Sequence, residues 1–540
     1  MSIFSIGVSG LNTAQSALQT TSNNISNVYT PGYNRQLTLT EDSALTGGVQ
    51  VTAIQRQFNY FTANQLNQAT SGLSYLDAYE TQINQLDNLL ADQDSGLSVL
   101  MQNFFSSLSG LTSAPSDPSA RQGVIGATNT LTAQFRSVGE YLEGVARGIN
   151  TQIESEIDQV NNTAELVASL NKEIAIARAK TGEEPNALLN RRDQLVAELN
   201  ERIEVKVFIQ DGGDYNLSIG NGQPLVSGSL YYSLEGIDSA VEPGRTVIGY
   251  KDAAGNTLEL PESVFDGGTV GGLMAFRRET LDATMDKIGR LAVSLAYSFN
   301  LQHQAGLDLN GDPGLEYFSV GDPTVFTNDR NLGGANFSAQ FGDTTQLTGV
   351  TYQLRVTNAA TGEFSIARDD GQGTLTATLD ASNQLSFDGV VLTLDNPALL
   401  VNGDKFRLLP TRHAARSLEA NIQDVELIAA GQIGGTGDNL NALALQDLQS
   451  SPIVGGVSTL SQGYAALIGD VGNQTNITQI NRTAQQSITE QIRALQQSES
   501  GVNLDEEAAN LLRYQQYYQA NAKTIEVGSI IIDTLLSLGG

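Results

Sequence analysis

Apolar residues recur every seven positions at both ends of this 540-residue sequence. A seven-residue repeat places its members on one stripe of a helix, and such a stripe needs a partner surface. One heptad alone indicates ordinary packing within a domain core, whereas matched heptads at both ends favour a helix pair built for assembly. The predicted seam residues are Phe4, Leu11, Leu18 and Ile25 at the first end, and Leu504, Leu511, Tyr518, Ile525 and Ile532 at the second.

The longest regular pattern lies in the first half of the chain. Asp117 followed by Pro118 is typical of a helix start, with Asp as the capping residue and Pro at the first helical position. Apolar residues then alternate at spacings of three and four from Val124 to Ile174. This stretch is longer than an ordinary globular helix, so it predicts a coiled-coil-like rod about 80 Å long.

Hydrophobicity alternates at strand period in two internal regions, and Asp388-Gly389 in the second is a tight-hairpin signal. From Arg416 onward the pattern predicts that helix dominates to the end of the sequence. The predicted fold class is therefore α+β and multidomain: terminal helices paired as a coiled coil, a long discontinuous helical rod domain, and two inserted antiparallel β domains. The predicted boundaries are 1–60 and 498–540 for the terminal-helix assembly domain, 61–204, 266–310 and 411–497 for the rod, and 205–265 and 311–410 for the β domains.

The charge balance limits the possible partners. The chain carries 29 basic and 59 acidic residues, a net charge of -30. Nucleic acid and anionic lipid both require clustered Lys and Arg, so the sequence predicts no nucleic-acid or membrane partner. No run of eighteen apolar residues occurs, and the first residues lack the pattern of a signal peptide. If the protein leaves the cell, we expect export without a cleaved signal peptide.

The sequence offers little support for an enzyme. It has no cysteine, which excludes disulfides and thiol catalysis, and its two histidines are His303 and His413. His303 lies at a predicted helix end, where a capping or core role is favoured over catalysis. The segment from Asp308 to Asp312 resembles part of a calcium loop, yet it breaks the EF-hand spacing. We therefore predict no catalytic residues, no metal and no cofactor.

Two terminal motifs carry a family resemblance. The first is Asn23, Asn24, Asn27 and Thr30-Pro31-Gly32-Tyr33, followed by Arg35-Gln36; the second runs from Ser500-Gly501-Val502-Asn503 through Glu507 to Tyr518-Gln519-Ala520. Both resemble the terminal signatures of bacterial flagellar axial proteins. The resemblance implies that the two terminal helices pair as the innermost layer of a tube. It also implies that these ends stay largely unfolded before export and assembly.

Internal segments resemble the hook–filament junction members of that family. They include Pro185-Asn186, Asn190, Arg192-Asp193-Gln194-Leu195 and Gly403-Asp404-Lys405-Phe406. The resemblance implies a structural subunit at the extracellular hook–filament junction, exported by the flagellar type III pathway. Its implied partners are further copies of itself in a tubular ring, the flagellar hook protein, a second hook–filament junction protein, and a flagellar export chaperone on the C-terminal region.

A second hypothesis, from a different class, is an extracellular adhesin or hydrolase. In that case the β domains bind a ligand and the helices form a stalk. The matched heptads separate the two hypotheses, because a stalked binder does not need paired seams at its two ends.

Overall fold

The computed structural model describes residues 3–43, 47–91, 96–220, 222–252 and 254–539. Within these ranges the helices are α1 Ile3–Ser26, α2 Tyr60–Leu90, α3 Leu97–Ser113, α4 Pro118–Thr181, α5 Asn186–Arg202, α6 Gly268–Phe276, α7 Asp282–Gln304, α8 Leu440–Asp447, α9 Leu460–Ser500 and α10 Leu504–Gly539. In the same ranges, no helix combines the length and the apolar character needed to cross a lipid bilayer.

The described strands all pair antiparallel. The terminal hairpin is β1 Gln36–Asp42 and β2 Val49–Arg56. The first β region holds β3 Val205–Ile209, β4 Tyr215–Ile219, β5 Gln223–Ser227, β6 Leu230–Tyr231, β7 Leu234–Ser239, β8 Glu242–Lys251 and β9 Thr257–Leu260. The second holds β10 Phe318–Ser319, β11 Thr324–Thr327, β12 Phe337–Phe341, β13 Tyr352–Asn358, β14 Glu363–Arg368, β15 Thr374–Thr378, β16 Gln384–Phe387, β17 Val390–Leu394 and β18 Lys405–Leu409, and β19 Glu419–Ala420 returns to pair with β10.

Helix α4 forms the long axis of the molecule, as the sequence predicts. The Asp117 carboxylate accepts a hydrogen bond from the Ser119 amide at 2.8 Å, and Pro118 occupies the first turn. The helix has 64 residues and, at 1.5 Å per residue, extends about 96 Å. Its predicted seam from Val124 to Ile174 is buried almost throughout.

The prediction that helix dominates from Arg416 onward is wrong between residues 416 and 439, whereas α8, α9 and α10 confirm it further along the chain. Apart from the short strand β19 and one 3-10 turn, the segment is irregular, although Leu418, Ile422 and Ile428 are buried. Two of its carbonyl groups, those of Val425 and Ile428, accept hydrogen bonds from the Arg121 guanidinium at 2.8 Å each. An arginine from a neighbouring helix thus replaces the hydrogen bonds that a helix would have made within itself.

Two apolar cores divide the body of the molecule. One core runs through α2 to α9 and continues without a break into the first β region, through residues such as Leu217 and Ile248. The second β region has its own core, to which α7 contributes Val293. Its sheets have the orders β11-β18-β13-β14-β15 and β12-β17-β16. The predicted hairpin is present at Asp388-Gly389, where both residues have positive φ as a two-residue turn requires.

Candidate assembly site at the two ends of the chain

The two terminal helices pair antiparallel along a stripe of small residues. Six of the seven buried positions of α1 are spaced by threes and fours: Gly7, Gly10, Ala14, Ala17, Thr21 and Asn24. A Cβ atom at Gly7 would lie 2.7 Å from Ile525 Cγ1, and one at Gly528 would lie 2.7 Å from Ile3 Cγ2. The backbones therefore approach closely because these positions lack side chains that would separate them.

The predicted seam residues lie beside this stripe or face solvent. Phe4, Leu11, Leu18 and Ile25 are half-buried, as are Leu511 and Ile525. Leu504, Tyr518 and Ile532 are exposed by 42%, 38% and 43%. The heptads thus identify the two helices that meet, whereas the closest contact uses neighbouring small residues that a hydrophobic pattern does not reveal.

A buried polar cluster holds the two helices together at one end of the pair. Asn24 Nδ2 donates to Glu507 Oε2 at 3.1 Å and to the Gln36 carbonyl at 2.9 Å. Asn24 Oδ1 accepts from the Gln36 amide at 3.0 Å and from the Tyr33 hydroxyl at 2.9 Å. Every hydrogen-bonding position of the Asn24 amide is therefore used, which fixes α1, the following turn and α10 relative to one another.

Arg35 supplies the positive charge that balances the buried Glu507 carboxylate in this cluster. Its Nε donates to Glu507 Oε1 at 2.8 Å, and its Nη1 to Glu506 Oε2 at 2.7 Å. The Glu507 side chain is 1% exposed, whereas that of Glu506 is 57% exposed. Burial, assisted by the Glu507 charge, raises the pKa of Tyr33 to about 12, so its hydroxyl remains a donor at neutral pH.

The other residues of the first motif form the turn that directs Tyr33 toward Asn24. Asn27 Nδ2 donates to the Asn23 carbonyl at 2.9 Å, and Thr30 Oγ1 donates to Asn27 Oδ1 at 3.1 Å. The Tyr33 amide donates to the Thr30 carbonyl at 3.2 Å, which closes the turn over Pro31 and Gly32. The side chain of Asn23 is exposed in this arrangement.

The second motif begins α10 and joins the same cluster. Asn503 Oδ1 accepts from the Asp505 amide at 3.0 Å and so caps the start of α10. The Arg35 amide donates to the Ser500 carbonyl at 2.9 Å. The segment between α9 and α10 is thereby fixed to the segment that follows α1.

An internal motif anchors this assembly to the helical body. On α5, Asn190 Oδ1 accepts from Asn34 Nδ2 at 2.8 Å and from Arg56 Nη1 at 3.1 Å. Asp193 forms an ion pair with Arg56 and accepts from the Tyr215 hydroxyl at 2.7 Å. The resemblance alone singles out these α5 residues. Their role in binding Asn34 and Arg56 carries no signal in the sequence, because these partners are distant along the chain.

Apolar side chains remain uncovered on the outer faces of α9 and α10. Helix α9 packs on α2 through polar residues: Gln485 and Thr489 both donate to the Ala69 carbonyl, at 2.9 and 3.2 Å. At the start of α9, Leu460, Leu467 and Val471 are buried in the core of the helical body. From Ile477 onward, most of its large apolar residues are exposed instead. Besides Leu504, Tyr518 and Ile532, the exposed apolar residues include Ile477, Ile480, Ile488 and Leu495 on α9, and Leu512, Val527, Ile530, Ile531, Leu535, Leu536 and Leu538 on α10.

The candidate catalytic and metal-binding residues have structural partners. His303 is fully buried: its Nδ1 donates to the Leu315 carbonyl at 2.8 Å, and its Nε2 accepts from the Ala429 amide at 2.9 Å. His413 Nδ1 lies 3.0 Å from Glu143 Oε1. Asp308 Oδ1 accepts from the amides of its own loop at 2.8 and 3.0 Å. In the part of the chain that the structure describes, no group of three His, Cys, Asp or Glu side chains could hold a metal ion.

Family models match this chain at its ends and in its interior. The models described as flagella basal body rod protein and as flagellar basal body rod FlgEFG protein C-terminal match residues 4–34 and 496–538. These are the two segments that the Asn24 cluster joins. Together, the paired ends and these matches place this chain in the class of bacterial flagellar axial proteins.

The interior specifies the member of that class. The flagellar hook-associated protein FlgK helical domain matches residues 83–318, and the flagellar hook-associated protein 1 D2-like domain matches 326–410. Flagellar hook-associated protein 1 of Escherichia coli (strain K12) is 38% identical over 550 residues, which cover 99% of this chain and 100% of that protein. Its counterpart in Salmonella typhimurium is also 38% identical, with the same coverage.

A solved structure has the same fold. The flagellar hook junction protein FlgK from Burkholderia pseudomallei superposes with a TM-score of 0.75 at 27% identity, covering 81% of this chain and 100% of that one. The chain belongs to the flagellar hook-associated protein 1 family. It is a structural component of the flagellum at the hook–filament junction and not an enzyme. The hypothesis of a stalked adhesin or hydrolase is not favoured.

Proposed function

We propose that copies of this chain form a tubular ring through their paired terminal helices, between the flagellar hook protein and a second hook–filament junction protein. The observation that carries the proposal is the apolar surface that the α1–α10 pair leaves uncovered. Ile531, Leu535 and Leu536 are exposed by 47%, 62% and 70%. Such a surface on a chain with a net charge of -30 requires a protein partner.

The predicted seam residues divide into two roles in this proposal. Leu511 and Ile525 stabilise the pair within one chain, because they are half-buried on the side of α10 that faces α1. Leu504, Tyr518 and Ile532 are exposed and form part of the surface that neighbouring copies cover. The outward apolar residues of α9, including Ile480 and Ile488, continue this surface along the helical body.

The C-terminal region has a second partner before assembly. An amphipathic helix that cannot bury its apolar face within its own chain is a suitable ligand for a helical groove. We propose that a flagellar export chaperone covers α10 inside the cell. Export then proceeds through the flagellar type III pathway without a cleaved signal peptide, and the protein functions outside the cell.

A strain that lacks this protein tests the junction role. We expect such cells to assemble hooks and to release filament protein into the medium without attached filaments. The unsubstituted chain should restore attachment. Leu511→Asp and Ile525→Asp should not restore it, although the β regions of both variants remain folded. Attached filaments in the deletion strain would exclude the junction role, and attached filaments with both variants would show that assembly does not need the α1–α10 pair.

A further inference from the structure

The second β region meets the rest of the molecule at a cluster of buried charges. Arg412, on the segment that leaves this region, donates from Nε to Asp286 Oδ1 at 2.7 Å and from Nη2 to Asp286 Oδ2 at 3.0 Å. Its Nη1 lies 3.0 Å from Asp282 Oδ1. Both carboxylates belong to α7, and the side chains of Arg412 and Asp286 are each 4% exposed.

The second β region contributes groups of its own to the cluster. The Thr351 hydroxyl accepts from Arg412 Nη2 at 2.9 Å and donates to Asp286 Oδ2 at 3.1 Å. Arg407 on β18 donates to Asp369 Oδ2 at 2.8 Å, and its Nε lies 2.8 Å from Glu242 Oε2 on β8. A residue of the second β region therefore pairs directly with the first.

The cluster then continues into the first β region and the helical body. Arg245 on β8 donates to Asp282 Oδ2 at 2.6 Å and to Glu262 Oε1 at 2.9 Å. Arg277, at the end of α6, donates to Glu262 Oε1 at 2.7 Å and to Asn150 Oδ1 on α4 at 2.6 Å. We call this set the charged joint; its members are Glu242, Glu262, Asp282, Asp286, Asp369, Arg245, Arg277, Arg407 and Arg412.

The charged joint differs from an apolar contact in its dependence on geometry. Burying charges costs free energy that only close, well-aligned partners offset. Such a network therefore adds little to stability, but it favours one relative orientation of the units that it joins. Burial disfavours the ionised form of Asp282, yet Arg245 and Arg412 outweigh it and lower the pKa of this carboxyl. The two β regions also lie in different apolar cores.

We propose that the charged joint fixes the angle of the second β region against α7 and the first β region, so that the three units move as one rigid body. In a subunit that bears load between the hook and the filament, such a joint transmits torque instead of absorbing it. The inference concerns each single chain and does not depend on assembly of the ring.

Spin labels test the joint directly, because the chain has no cysteine of its own. We place one label on α4 at Glu140→Cys and one on β15 at Thr376→Cys, both exposed positions. Pulsed electron–electron double resonance on the full-length monomer then reports the distribution of distances between the two labels. The unsubstituted joint should give one narrow peak.

Two variants separate orientation from folding. Arg412→Met removes the central guanidinium, and combining it with Asp282→Asn and Asp286→Asn also removes the charges of the two α7 carboxylates that Arg412 contacts. We expect the distribution to become at least twice as wide in both, while the amides of β13 and β14 remain protected from exchange. The control is Arg368→Met, because Arg368 pairs with Asp370 within the second β region at 2.6 Å.

The triple variant decides the outcome if Arg412→Met alone does not fold. A narrow peak at the original distance in the triple variant would overturn the proposal, since the apolar contacts would then suffice. Loss of amide protection in the second β region of the triple variant would also overturn it, because the charges would then support folding and not orientation. A broad distribution in a folded triple variant, with a narrow one in the control, supports it.

Discussion

Asn24 and Glu507 come from opposite ends of the chain and meet in a buried hydrogen bond of 3.1 Å. Asn24 belongs to the motif that ends α1, and Glu507 lies in the first turn of α10. If α1 ended, or α10 began, a few residues away, Asn24 or Glu507 would be buried without its partner. The hydrogen bond therefore sets the register in which the two ends pair.

Replacing Glu507 should loosen this end of the pair. Glu507→Gln removes the buried charge opposite Arg35, and hydrogen bonds to charged groups contribute about 1.5–3 kcal/mol. We expect the protection of the Arg35 amide against hydrogen exchange to fall by about 2 kcal/mol. The control is Glu506→Gln, which removes an exposed partner of the same arginine and should cost less than about 1 kcal/mol. Equal losses in the two variants would contradict the assigned role of Glu507.

Enlarging the small-residue stripe should separate the terminal helices. A Cβ atom at Gly7 would lie 2.7 Å from Ile525 Cγ1, so Gly7→Leu forces four additional carbons into a close contact. Overpacking of this kind costs about 1–3 kcal/mol. We expect faster amide exchange throughout α1, whereas the control Gln15→Leu, at an exposed position of the same helix, should leave exchange unchanged. Similar exchange in both variants would show that the stripe does not determine the approach of the helices.

The buried histidine should make the helical body sensitive to acid. Burial lowers the pKa of His303 from 6.5 to about 4, because the charged ring is disfavoured in the apolar interior. The unfolded chain takes up the proton first, so the free energy of unfolding is fully retained above about pH 6.5 and falls as the pH decreases toward 4. By linkage, His303 accounts for a fall of about 3 kcal/mol over this range.

The measurement is the free energy of unfolding of the helical body between pH 7 and pH 4. His303→Gln should reduce the dependence on pH over this window, and His413→Gln, at an imidazole that is 37% exposed, is the matched control. An unchanged dependence in His303→Gln would show that His303 does not titrate between the folded and unfolded states.

The sequence predicts those parts of the fold that depend on local periodicity. The α4 rod, its Asp117 cap and the Asp388-Gly389 hairpin are each specified by neighbouring residues, and the structure confirms them. The sequence predicts mainly helix for the segment after Arg416 and is wrong there, because the arginine that binds its carbonyl groups is Arg121 on another helix.

The candidate site was only partly predictable for the same physical reason. Large apolar residues identified the two helices, but the contact is made by Gly7, Gly10 and Ala14, which carry no hydrophobic signal. Glu507 resembled an ordinary acidic residue in a first helical turn, and only the folded chain shows that it is buried against Asn24. Contacts between distant segments cannot be inferred from local patterns.

We propose that neighbouring copies cover the apolar face of α10 that one chain leaves exposed. The most direct test is the number of attached filaments, counted by electron microscopy, on cells whose only copy of this protein carries Leu535→Asp. The substitution leaves the Asn24–Glu507 contact intact, and Gln515→Asp adds the same charge at an exposed polar position of the same helix. We predict bare hooks with Leu535→Asp and attached filaments with Gln515→Asp. A normal number of attached filaments with Leu535→Asp would show that neighbouring copies do not cover this face.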